Sequence, residues 1–196
     1  MEPNRGDRKL PGARRSAAAG AQRELTLRRA TPDDLDGVLT IVRDASRRLE
    51  EKGLPDWRRY LTPAGFRHVQ DRVNGLNDVE VYLAWREGDE TPVGVFSIEW
   101  SDRQYWDAIG EDGQAGYIHM LAVHRSARGS GVGRQMVGLA EKLIARRGRR
   151  FARLDCGAYN AFLCGYYRAL GYRSRGIKHA PHAVMRFEKA LVQGAR

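Results

Sequence analysis

Residues Arg125 to Arg134 read RSARGSGVGR. Upstream lies an apolar run, GYIHMLAV at 116–123. Downstream, Val132, Met136, Val137, Leu139, Ala140, Leu143 and Ile144 repeat at helical spacing until Gly148. A strand, a glycine-rich turn and an amphipathic helix follow from that order. Glycines at 129, 131 and 133 let backbone amides approach a ligand without side-chain obstruction. The helix that starts there points unpaired N–H groups and its positive dipole end at the same spot. Arg125, Arg128 and Arg134 add charge, and the whole describes a diphosphate cradle. It is not a P-loop, because no Lys in the chain is followed by Ser or Thr. A dinucleotide fingerprint fails too, since Arg134 stands where GxGxxG needs its third glycine. Asp155, closing the next strand, imitates the ribose-binding acid, but this turn comes after four strands instead of opening the domain.

Around this turn the chain predicts a mixed α/β domain in the order β-α-α-β-β-β-α-β-α-β. ELTLRRA (24–30) alternates like a strand. Thr31-Pro32-Asp33-Asp34 then opens a helix, with a capping hydroxyl, proline in the first turn and two acids at the positive dipole end. Leu35, Val38, Leu39, Val42, Ala45 and Leu49 carry it to about Glu51. Thr62-Pro63 opens a second helix with Phe66, Val69, Val73 and Leu76 on one face. Residues 79–85 and 92–100 read as paired strands, FARLDC (151–156) as another, Asn160 to Leu170 as a helix and Ala183 to Phe187 as a last strand. One domain over 24–190 is expected, with a disordered basic tail at 1–23 and a short C-terminal tail at 191–196.

The 196 residues are 42% hydrophobic and 30% charged, with 34 Lys and Arg against 24 Asp and Glu, a net charge of +10. That excludes a disordered or fibrous chain and favours anionic partners. No apolar run approaches the ~20 residues that span a bilayer. Cys156 and Cys164 make neither a disulfide framework nor a metal site, so a reduced, cytoplasmic setting without a metal is expected.

Arg128-Gly129-Ser130-Gly131-Val132-Gly133 resembles the R/Q-x-x-G-x-G/A signature of the GNAT superfamily, the acetyl-CoA-dependent N-acetyltransferases. Asn160 to Tyr172, NAFLCGYYRALGY, resembles its N-x(6)-Y-x(3)-G-F/Y block, and the likeness runs from about residue 25 to 189. The resemblance implies the GNAT fold, a mostly antiparallel sheet flanked by helices, and acetyl-CoA as acetyl donor. It implies cofactor contacts from Leu121, Ala122 and Val123, from the turn residues Arg128 to Arg134, from Asn160 on the pantetheine arm, and from Tyr167. In this reading the Leu121 amide polarises the thioester carbonyl, and Tyr167 is the general acid that protonates the thiolate. The amine must also lose a proton. Glu99, ending the strand PVGVFSIEW, and His119, within YIHML, are candidate bases, and an ordered water is a third.

Segment 99–112, EWSDRQYWDAIGED, holds five acids and one Arg, with Trp100, Tyr105 and Trp106 interleaved. It is expected to form an anionic, aromatic mouth for a cationic amine. Glu99, Trp100 and Trp106 would bind the acceptor, with Trp57 on the opposite wall. A plain hairpin with its aromatics packed on the sheet is the rival reading. The expected reaction is acetyl transfer to a primary amine of a small molecule by direct attack in a ternary complex. Acetylation of a protein or peptide, at its N-terminus or a lysine, stays open, as does a homodimer. A basic nucleic-acid-binding domain built on Arg146 to Arg150 is the alternative from another class. It is disfavoured because those cations close a helix and the aromatics gather among acids.

Overall fold

The computed structural model describes residues 24–54, 57–179 and 182–192. The expected tail at 1–23 and residues 193–196 of the expected C-terminal tail lie outside the described residues.

Seven strands form one sheet in the order β1-β2-β3-β4-β5-β7-β6. They are β1 (Leu25–Arg29), β2 (Glu80–Arg86), β3 (Gly94–Glu99), β4 (Ala115–Val123), β5 (Phe151–Gly157), β6 (Arg173–Lys178) and β7 (Val184–Ala190). Every neighbouring pair is antiparallel except β4 and β5. Helices α1 (Leu35–Glu50) and α2 (Pro63–Val73) cover one face. Their buried Val38, Ile41, Val42 and Val69 meet Val81, Leu83, Val95, Met120 and Ala122 of the sheet. Helices α4 (Val132–Arg146) and α5 (Ala161–Ala169) cover the other, where Met136, Val137, Ile144 and Tyr167 meet Phe96, Ile98, Leu154 and Phe187. Burying apolar residues from both faces of the central strands requires this two-sided cover.

Local signals hold at the first helix entry. The Asp34 carboxylate takes the N–H of Thr31 at 2.8 Å and its hydroxyl at 2.9 Å, and Arg28 grips it with two more bonds. That grip holds the Asp34 carboxyl down at about 2. Two elements go beyond the sequence expectation. A four-residue helix, α3 (Arg103–Trp106), sits inside the acidic segment, and β6 adds an edge strand. β6 reads RSRGIK and is largely exposed, so it carries no apolar alternation to detect; pairing with β7 alone makes it a strand. Among the described residues, no helix is long and apolar enough to cross a membrane.

Candidate active site

β4 and β5 pair only from Ala115–Phe151 to Ile118–Leu154, although β4 runs on to Val123 and β5 to Gly157. Beyond that point the strands part. The cause lies in β4. Met120 has φ +53, and the register against β3 shifts by one residue between Ser97–His119 and Val95–Ala122. This is a β-bulge, which sets two consecutive side chains, His119 and Met120, on the α1–α2 face. Past the bulge, Ala122 and Val123 pair with β3 again on one side, while the edge facing β5 is left without ladder partners.

At the end of that edge stands the glycine turn. Gly129 has φ +75 and Gly131, the N-cap of α4, has φ +81, a left-handed region that favours glycine. No side chain caps α4, so its first amides point outward. Arg128, Ser130 and Arg134 are exposed, Val132 is buried, and the Ser130 hydroxyl turns back onto the Ala127 carbonyl at 2.6 Å. A Cβ on Gly133 would stand 3.0 Å from the Tyr166 hydroxyl, so glycine there lets α5 sit close. Arg125 does not present a free charge; Asp44 holds its guanidinium and its backbone N–H. Beside the turn, Arg48, Lys52, Arg125 and Arg128 with Glu51 line a depression of about 280 Å³. On α5, the Asn160 side-chain oxygen accepts the Leu163 N–H at 3.1 Å and is committed to capping the helix. Tyr167 is buried among Cys156, Cys164, Tyr172 and Phe187, and that burial drives its phenol pKa far above 10.

On the opposite face, a polar cluster fills the gap. His119 Nε2 lies 3.2 Å from Asp102 Oδ2 and 3.6 Å from Glu99 Oε1. The Asp102 contact is an ion-pair distance whose alignment falls short of a hydrogen bond, leaving both atoms formally unpartnered. Asp155, the first β5 residue past the last paired position, joins them: one polar atom each from Asp102, His119 and Asp155 lies within 4.8 Å of the others. Burial works against a charged His119, but Glu99 and Asp102 outweigh it and lift its pKa to about 9. Burial likewise raises the Asp155 carboxyl, with His119 only partly offsetting it. Behind Glu99 stands Arg72, ion-paired to it, whose Nε donates to His68 Nε2 at 2.8 Å. Burial and the charges of Arg72 and Arg59 hold His68 down at about 4, a neutral acceptor.

The anionic mouth is not there. Each of its five acids already has a partner: Glu99 has Arg72, Asp102 has the Tyr105 N–H and His119, Asp107 has Lys178 and Arg186, Glu111 has Arg103, and Asp112 has Arg153. Net charge counted along a sequence ignores cations that arrive from elsewhere in the fold. The aromatic walls move as well. Trp106 is 1% exposed, wedged against Tyr117 beneath Arg153. Trp100 lies on the α4 face, across the sheet from His119, donating to Glu80 at 3.3 Å under Arg147. Trp57 is half-buried against Tyr60. Only Tyr105 reaches the cluster, its ring 6.4 Å from that of His119. Two of the cations offered for nucleic acid are also engaged: Arg147 pairs with Glu80, and Arg149 bonds the Gly113 carbonyl.

A family model described as the acetyltransferase (GNAT) family matches residues 45–172. The chain belongs to this family. It is 27% identical over 168 residues to the uncharacterized N-acetyltransferase YesJ of Bacillus subtilis, covering 83% of this chain and 88% of that one. A GNAT-family acetyltransferase from Listeria monocytogenes superposes with a TM-score of 0.71 at 26% identity, over 86% of this chain and 96% of that one. An aminoglycoside acetyltransferase solved with coenzyme A gives a TM-score of 0.65 at 21% identity, over 85% and 95% of the two chains. A ribosomal α-N-protein acetyltransferase, also with coenzyme A, gives 0.64 at 20%, over 85% and 94%. The protein is thus an N-acetyltransferase of the GNAT fold, an acyltransferase.

Sequence reasoning passes over two members of the cluster. Asp102 counts there only as part of the acidic segment and Asp155 only as a ribose-acid mimic. The available signal is FARLDC itself: an acid in a central strand, on the same face as Arg153, has to be buried against something.

Proposed function

We propose that this N-acetyltransferase moves the acetyl group of acetyl-CoA to a primary amine of a small molecule, by direct attack in a ternary complex, with Tyr167 as general acid. The observation that carries the reading is the parting of β4 and β5, with Tyr167 on one side of the gap and the His119 cluster on the other. The cofactor fits the residues present. An uncapped helix N-terminus, two left-handed glycines and exposed Arg128 and Arg134 suit a diphosphate. Leu121, Ala122 and Val123 lie past the last residue that pairs with β5 and suit an amide-bearing arm, with Arg48 holding the Val123 carbonyl at 2.6 Å.

Acetyl-CoA supplies an activated acyl group and a thiolate leaving group. The Leu121 amide then stabilises the developing oxyanion, a contribution of ~3 kcal/mol in comparable sites. Tyr167 holds its proton until the thiolate needs it, since burial keeps the phenol neutral at any working pH. Holding both reactants in the gap converts a bimolecular step into an effectively unimolecular one. Neither expected base suits deprotonation of the amine, because Glu99 is tied to Arg72 and His119 is already an imidazolium at neutral pH.

Thiol release from acetyl-CoA over a library of amines tests the reading. Tyr167→Phe is expected to lower kcat about 100-fold or more at saturating substrates. Full kcat in that variant would overturn the general-acid role.

A further inference from the structure

The charges around the cluster leave one group without a counterpart. Glu99 is matched by Arg72, and Asp102, whose side chain is 4% exposed, is matched by the His119 imidazolium. Asp155 Oδ1 is buried with no hydrogen-bond partner, and among the described residues no Lys or Arg forms an ion pair with it. Arg59 lies within electrostatic reach but bonds the Tyr60 hydroxyl at 3.0 Å instead. A buried carboxylate without a cation is costly, so such a site either takes up a proton or takes up a cation. Asp155 also stands where the strands part, and Tyr167, on the other side of the sheet, senses its charge.

We infer that Asp155 receives the ammonium group of the acceptor and takes the proton that must leave before the nitrogen attacks. This rests on the acetyltransferase reading above and adds the residue that meets the amine. The steps balance. Asp155 accepts one N–H proton and leaves a neutral amine, whose lone pair forms the C–N bond as the C–S bond breaks. Tyr167 gives its proton to the thiolate, and its phenolate recovers the second N–H proton. Asp155 then releases its proton to solvent, giving the N-acetylamine, the thiol of coenzyme A and one H⁺. His119 and Asp102 are positioning residues: the imidazolium steadies the Asp155 carboxylate, and Asp102 keeps the imidazole charged. Asp155 is faced by His119, Asp102, His182 and Glu99, and senses Arg59, Tyr105 and Tyr167.

Carboxyl ¹³C NMR of the full chain with coenzyme A bound, labelled at aspartate, tests this without any known acceptor. The Asp155 signal, identified by its loss in Asp155→Asn, should titrate above the other aspartates. n-Butylammonium chloride should lower that midpoint by about one pH unit, as an opposite charge close by does. A midpoint that does not move overturns the inference. Turnover gives a second readout. With n-butylamine, Asp155→Asn should lose about 100-fold in kcat. With hydroxylamine, already neutral at pH 7, it should lose far less. Equal losses, no loss, or activity abolished by EDTA and restored by a divalent cation each overturn it. Calorimetry with coenzyme A separates the two failures. Wild-type protein that binds no coenzyme A sinks the acetyltransferase reading, whereas intact binding with an unmoved Asp155 sinks only this one.

Discussion

Asp44, buried on α1, accepts the backbone N–H of Arg125 at 3.1 Å, and the same carboxylate holds the guanidinium of Arg125 and, at 3.1 Å, Nε of Arg48. Arg48 in turn donates to the Val123 carbonyl at 2.6 Å. One acid on the first helix therefore fixes where β4 ends and where the glycine turn begins, 81 residues further along the chain.

Removing that acid charge should loosen the turn. Hydrogen bonds to charged groups contribute about 1.5–3 kcal/mol each. Asp44→Asn should lower thermal stability and weaken coenzyme A binding about tenfold, read by calorimetry, although Asp44 belongs to the opposite layer from α4.

Gly131 and Gly138 both belong to the α4 region, yet alanine should act in opposite directions at the two. Gly131 has φ +81, and a left-handed side chain there costs roughly 1–2 kcal/mol. Gly138 lies within the helix, with nothing within 4 Å of a Cβ, so alanine should stabilise by about 1 kcal/mol. Denaturant melts of the two variants check both signs.

His119 gives a pH dependence. Its folded pKa of about 9 exceeds the ordinary 6.5, so its contribution to stability is complete below pH 6.5 and is lost as pH rises through 9. His68 runs the other way, its folded value near 4 giving stability that is lost as pH falls from 6.5 through 4. Melting temperature should therefore decline at both ends, and His119→Gln should flatten the alkaline limb alone.

Arg153 is 2% exposed, yet carries Asp112, Glu188, the Tyr117 hydroxyl and the Ile109 carbonyl. Truncating it strands two carboxylates around a buried Trp106. Arg153→Ala should cost about 3–5 kcal/mol, the usual penalty for breaking a buried pair. Arg153→Lys should recover only part, because an ammonium lacks the planar fork.

What can be read in advance is whatever depends on neighbours in sequence. The turn at 125–134, the α4 stripe and the motifs of the GNAT resemblance all lie within short stretches, and the fold keeps them close to where their patterns put them. What cannot be read depends on distant partners. Asp107 looks free in the sequence until Lys178 and Arg186 meet it, and Trp106 looks like a wall until Arg153 covers it. Asp155 becomes interesting only once β4 has turned away from β5. β6 is invisible because its side chains face water on both sides.

The kink at Met120 divides one strand between two employments. On the reading proposed above, His119 lies on the acceptor side and 121–123 carry the edge offered to the donor, and the left-handed residue between them separates one register from the other. A single deletion at 120 should therefore remove the bulge while the later side chains keep their faces, letting β4 run straight on alongside β5.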